Sequence, residues 1–397
     1  MRCLLLSGHG IKMNVDSAKL VIQDGRNSVE EEPAKYTLRP KITDYDNLVV
    51  YGHSGYITFE AMRWLTKQNI QLTLLNWNGK LLTNVLSLES KQTKLKFAQY
   101  RAYESPLRIE IARNLIDAKI QRSKAVLDWL KERYPDVNSD VSKEYRKLPS
   151  TKTISEIMLI EARIGEIYWR ELSKIFNDKF EFISRQQGKS SRPMGAVDPI
   201  NTLLNYGYAL LESECRKAIN SIGLDTHVGF MHEMALGKEP LVYDLQEPFR
   251  FLVDLAIITS LEKKVFTKSD FIRTENYNLK LRPSGVKKLL KEIELQFNKP
   301  IEYQGSKCHW SYLIFLKARE LAHYLLSKKS IIDFSSPHVE LERKDSSELR
   351  QKILNLSYSQ ARNLGIGKGA LHYLKKNARS EKPFKVYNKI KSKIMNE

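Results

Sequence analysis

Ile157-Met-Leu-Ile-Glu-Ala-Arg-Ile-Gly-Glu-Ile-Tyr-Trp169 decides the architecture of the chain. Ile157, Ile164, Gly165 and Tyr168 recur at helical spacing, so the segment folds as a helix with one apolar stripe. The same period of 3.6 residues runs through Leu107–Leu130, Thr153–Phe176, Thr202–Ser221 and Leu241–Leu261, so the chain from about Ser90 onward is expected to be helical. Glu161 falls on the apolar stripe of its helix. Burying it as an anion costs several kcal/mol unless a cation or strong donors meet it. Either a divalent metal or one of the many Lys and Arg residues would do that.

The first 85 or so residues read differently. Arg2–Leu6, Lys19–Gln23, Asn47–Tyr51 and Gln71–Leu75 are short apolar or alternating runs broken by Gly, Asp and Asn, the pattern of strands. One helix interrupts them at Thr58–Leu65, where Phe59, Met62 and Leu65 share a face. The Asn78-Gly79 dipeptide within Trp77–Lys80 favours a tight hairpin. The expected fold is therefore α+β and multidomain: a β-rich domain over 1–88, an all-α catalytic domain over 89–330, a linker over 331–345, and a helix-turn-helix domain over 346–397.

The last of these rests on Ser357-Tyr-Ser-Gln-Ala-Arg-Asn-Leu-Gly-Ile-Gly-Lys-Gly-Ala-Leu-His-Tyr-Leu-Lys-Lys376. Ala361 allows a close helix–helix approach, Gly365 four residues on takes the turn, and Leu371 and Leu374 bury the second helix. That helix is expected to begin near Lys368 and to turn Lys368, His372, Lys375, Lys376 and Arg379 toward a DNA groove and its phosphates. A plain helical hairpin is the alternative.

Composition narrows the partners. The formal charge is +19 over 397 residues, of which Arg343–Glu397 carries +10, with 14 Lys and Arg against 4 Asp and Glu. An anionic partner follows, nucleic acid before membrane surface. No apolar run approaches the ~18 residues of a membrane span, and Leu4-Leu5-Leu6 is followed at once by a glycine turn, unlike a signal peptide. Cytoplasm is the expected compartment. Cys3, Cys215 and Cys308 are odd in number and far apart, which supports neither a disulfide framework nor a zinc site.

A second polar group lies among apolar residues in Gly229–Arg250, where His232, Asp244 and Glu247 occur together. Asp244 and Glu247 are three apart and can enter one cleft, and Pro248 sets a helix start or kink directly after them. Each alone has a plain structural explanation: a core histidine, or an acid pair at a helix N-terminus. With Glu161 they supply one imidazole and several oxygens, a set suited to Mg²⁺ or Mn²⁺ rather than zinc. His232 must be neutral to ligate, so activity should fall in acid. The polar, basic segment Ser184–Gly195 is either a solvated loop or a flap touching DNA through Arg185, Lys189 and Arg192.

The order of these motifs resembles the CRISPR adaptation integrase family over nearly the whole first 320 residues. The likeness is carried by Glu161-Ala to Tyr168-Trp169, Asp198–Tyr208, Gly229-Phe-Met-His232, Leu241–Arg250, and Val50–Thr58 to Gly79. It implies a divalent metal bound by Glu161, His232 and Glu247, with Asp244 assisting. Ala162 stands where glycine is frequent, a mild departure. The C-terminal helix-turn-helix resembles casposases, transposon-encoded relatives that insert their own element's ends into a target. The resemblance then implies joining of 3′-hydroxyl ends to double-stranded target DNA by phosphoryl transfer, endonuclease activity with water as nucleophile, and dimers or higher assemblies on DNA. Spacer insertion into a repeat array is the alternative within the family. A non-catalytic helix-turn-helix regulator is the alternative outside it.

Overall fold

A computed structural model describes residues 1–28, 32–52, 54–76, 78–85, 92–185, 195–275, 278–337, 344–379, 390, 393 and 394. The chain divides into two compact units, residues 1–124 with 140–337, and residues 125–139 with 338–397.

The first unit opens with strands β1 (Cys3–Gly8), β2 (Ile11–Asp16), β3 (Lys19–Gln23), β4 (Lys35–Leu38), β5 (Asn47–Gly52) and β6 (Gly55–Ile57), then helix α1 (Phe59–Lys67), β7 (Gln71–Leu75) and β8 (Leu81–Val85). One sheet has the order β1-β5-β7-β8, parallel except for β8; the other is β4-β3-β2-β6. Alternation sends Leu4 and Leu6 of β1, Met13 of β2, Leu20 and Ile22 of β3 and Leu48 of β5 into one core with Trp64 and Leu65 of α1. β5 also buries Val49, on its opposite face, as a parallel strand covered on both sides should. β2, β4 and β6 were not read from the sequence. The Asn-Gly turn joins β7 to β8, with Gly79 at φ +80°. A side chain there would also collide with the ring of Tyr206, so glycine is required twice over.

Helices follow: α2 (Thr93–Tyr103), α3 (Leu107–Arg133), α4 (Ser142–Tyr145), α5 (Ile154–Phe180), α6 (Pro199–Ile222), α7 (Pro240–Gln246) and α8 (Arg250–Glu262). α6 is buried along most of its length; Asp198 caps its start by accepting from Asn201 N–H, Pro199 occupies its first position, and Gly223 ends it at φ +91°. Pro248 interrupts α7 and α8 as expected, leaving a 3-10 turn at Glu247–Phe249. Two short hairpins punctuate the helical region, β9 (Phe271–Arg273) with β10 (Leu279–Leu281) and β11 (Pro300–Tyr303) with β12 (Ser306–His309), on either side of α9 (Pro283–Phe297) and before α10 (Trp310–Leu325). At three or four residues each, they are too short for a period to show. No described helix is long and apolar enough to cross a membrane.

In the second unit α11 (Lys344–Asn355), α12 (Tyr358–Asn363) and α13 (Lys368–Arg379) pack around Leu349, Ile353, Ala361, Ile366, Leu371 and Leu374. Ser357 caps α12 in a reciprocal box with Gln360, and Gly365 turns the chain at φ +75°.

Candidate active site

Three elements converge on one ammonium. Lys119 of α3 contacts Oε1 of Glu161 on α5, and its Nζ lies 2.6 Å from Oε2 of Glu247 in the 3-10 turn. Ile157, Ile164 and Tyr168 bury the face of α5 that carries Glu161, so the cation demanded by that carboxylate is present. The salt-bridge alternative is realised here, yet one lysine serves two acids from different elements. Glu247 is almost fully buried. Burial alone would push its carboxyl up, but the charges of Arg250, Lys119 and His232 together hold it down at about 2.

His232 is fixed from the side. Asp244, fully buried, accepts from the backbone N–H groups of Phe230 (2.5 Å), Met231 (3.0 Å) and His232 (3.1 Å), and its Oδ1 lies 2.7 Å from His232 Nδ1. Gly229 approaches the same carboxylate so closely that a Cβ would stand 2.7 Å from Oδ2. Asp244 thus folds the 229–232 loop around itself and sets the imidazole ring, leaving Nε2 as the second donor atom. Burial lowers the affinity of His232 for a proton, but the hydrogen bond and charge of Asp244 and the charge of Glu247 outweigh it and raise the pKa.

Behind Glu247 lies a polar network that the sequence reading missed. Arg250 Nε is 3.3 Å from Glu247 Oε1, and its guanidinium lies 4.9 Å from the centre of the Tyr208 ring. Tyr208 and Tyr168 donate to Asp254 at 2.6 and 2.8 Å. Burial pushes the Asp254 carboxyl up to about 6, against the two tyrosine hydrogen bonds and the charges of Arg250 and Arg185. A signal for it existed: Asp254 stands in the apolar run Phe251–Ile258, as Glu161 stands on its stripe. Lys119 had none, being one basic residue among many on a long helix.

Asp254 gives a stability prediction. Its folded pKa lies above its unfolded one, so its favourable contribution is complete below about pH 4 and is lost as pH rises through about 6, worth at most roughly 3 kcal/mol. The slope of Tm against pH between about 4 and 6 should therefore be shifted in Asp254→Asn relative to the unaltered chain, whose Asp254 lowers stability as pH rises through that window. Parallel slopes would show that Asp254 does not titrate in that window.

The other expected residues divide. Arg185, expected to face DNA, instead donates to Asn201 Oδ1 (2.8 Å) and Asn205 Oδ1 (2.9 Å) and lies against Tyr208. The structure turns it inward because Asn201 and Asn205 occupy adjacent turns of α6 beside it. Lys189 and Arg192 lie outside the described residues. On α13, Lys368, His372, Lys376 and Arg379 are exposed and Lys375 is half-buried. Among the described residues, no three His, Cys, Asp or Glu side chains stand close enough to hold a metal ion as arranged. Glu161 and Glu247 meet at Lys119, and His232 meets Asp244.

The match to known proteins covers this whole arrangement. Residues 4–295 match the family model for CRISPR associated protein Cas1. A solved structure titled as a casposase bound to integration product is 53% identical, with a TM-score of 0.84, covering 90% of this chain and 100% of that one. The chain belongs to the Cas1 family, within its casposase branch. It is accordingly a DNA-processing enzyme of the integrase and endonuclease class, with an α+β fold. The CRISPR-associated endonuclease Cas1 1 of Archaeoglobus fulgidus is 24% identical over 82% of this chain and 97% of its own. A Cas1 protein of Thermotoga maritima, at 20% identity and a TM-score of 0.66 over 85% of this chain and 100% of its own, shares the fold.

Proposed function

We propose that this casposase-type enzyme joins 3′-hydroxyl ends of a mobile DNA element to double-stranded target DNA, using Glu161, His232 and Glu247 to hold Mg²⁺ or Mn²⁺. The observation that carries the reading is the pair of carboxylates from separate elements gathered around one cation, beside an imidazole locked by Asp244. By donor type, two carboxylates and one imidazole, the set suits a hard divalent ion, and with Lys119 between the carboxylates the three must draw together to hold one. Glu247 is held as an anion by the positive charge around it, and its Oε2 is buried without a directed hydrogen bond although Lys119 is near. When bound, the ion would polarise the phosphodiester and stabilise the charge that develops on it.

The chain's own residues do the rest. Asp244 keeps His232 Nδ1 engaged and its ring aimed. Arg250 places its positive charge 3.3 Å from one oxygen of Glu247 and helps keep that carboxylate ionised. The net charge of +19 draws two DNA segments to one protein, with 3′-hydroxyl attack in line at the target phosphate. Pairs of element ends call for a homodimer or higher assembly on DNA. The tail carrying α13 supplies affinity and target choice.

The experiment is joining of a 3′-hydroxyl oligonucleotide to a plasmid. EDTA should stop it, Mg²⁺ or Mn²⁺ should each restore it, and zinc should not be needed. Joining in the absence of any divalent ion would refute the metal role of these residues.

A further inference from the structure

We propose that Lys119 is a built-in counter-cation that competes with the divalent ion for Glu161 and Glu247 and leaves them when the ion binds. The inference rests on the metal-binding reading above. Lys119 reaches both carboxylates at once, and those carboxylates come from α5 and from the turn after α7. Two anions near enough to share one ammonium repel each other once it is removed, so Lys119 holds the pair together in the metal-free protein.

The same contact excludes double occupancy. A divalent ion needs its oxygen ligands at about 2.0–2.6 Å, in the space that the ammonium fills. Two carboxylates with Lys119 sum to one negative charge; with a divalent ion in its place they are neutral. With both cations present, like charges would be pressed together, so exchange is favoured over coexistence.

Lysine suits this task and arginine does not. Its charge is compact and sits on a flexible four-carbon stem, whereas a guanidinium would grip the carboxylates as a planar fork. The side chain also has a way out. The Lys119 side chain keeps 16% of its surface exposed and that of Glu161 24%, against 3% for Glu247, so the cluster opens to solvent on the side of Lys119 and Glu161.

Mn²⁺ titration of the full chain, with free ion read by electron paramagnetic resonance, tests the exchange. Lys119→Met should bind Mn²⁺ on the order of tenfold more tightly than the unaltered chain, and Lys119→Arg no more tightly than it. Equal or weaker binding by folded Lys119→Met overturns the proposal. A second measurement needs no variant: acylation of Lys119, followed by mass spectrometry, should rise several-fold when Mg²⁺ is added, and unchanged labelling overturns the proposal as well. Failure of the underlying reading looks different. Mn²⁺ binding that is untouched in both Glu161→Gln and Glu247→Gln would place the ion elsewhere and overturn the metal site and the exchange together.

Discussion

Glu161→Ala, His232→Ala and Glu247→Ala are each expected to lower the joining of a 3′-hydroxyl oligonucleotide to plasmid DNA on the order of a thousandfold or more, with DNA binding largely kept. The magnitude follows from where each group sits. Glu161 and Glu247 are the two anions gathered around Lys119, and His232 is the one imidazole oriented beside them. Removing Glu247 also strands the charge of Arg250 and leaves Lys119 with Glu161 alone, at a cost of about 3–5 kcal/mol if Arg250 finds no other partner. Glu247→Gln keeps the shape and removes the charge, so it separates chemistry from folding: it should remain folded by circular dichroism and still fail to join. Near-normal joining by any of the three alanine variants would remove that residue from the site. Asp244→Ala should act through structure, because three backbone N–H groups and the imidazole lose their acceptor together, and it should show a lowered Tm along with lost joining.

What was legible in the sequence was what periodicity and local chemistry encode. The long helices, the break at Pro248, the Asn-Gly hairpin and the start of α13 at Lys368 all follow from residue spacing or from residues with restricted backbones. In the second sheet β3 showed, whereas β4 and β6, with only four and three residues, carry little alternation; β2 held a readable signal in Ile11, Met13 and Val15 alternating with Lys12, Asn14 and Asp16. At the site, Glu161 announced itself by its cost on an apolar stripe, as did His232, Asp244 and Glu247 among apolar neighbours. Their division of labour was not visible. That Asp244 organises a loop, that Lys119 spans two acids and that Arg185 turns inward to Asn201 and Asn205 are facts of tertiary approach, the first two between residues well separated in the chain. A lysine on a polar helix face gives no local sign of what it will meet.

Deleting the residues after about Ser346 should lower DNA affinity roughly ten- to a hundredfold at moderate salt and flatten its salt dependence, while joining persists weakly. The segment from Arg343 onward holds +10 of the total +19, so its loss removes the strongest electrostatic anchor in the chain. Each phosphate that is no longer neutralised should reduce the slope of log K against log salt by about 0.9. The exposed Lys368, His372, Lys376 and Arg379 of α13 make a change of about three the expected size. The unit has its own core around Leu349, Ile353, Ala361, Leu371 and Leu374, so surface substitutions on it can be read without loss of its fold. Lys368→Ala and His372→Ala, toward the start of α13, should mainly blur the choice of target. Lys376→Ala and Arg379→Ala, and to a lesser degree substitution of the half-buried Lys375, should weaken binding to every sequence alike. If the truncated protein binds and selects its target as the full chain does at several salt concentrations, α13 is not a DNA reader, and the tail must serve the enzyme in another way.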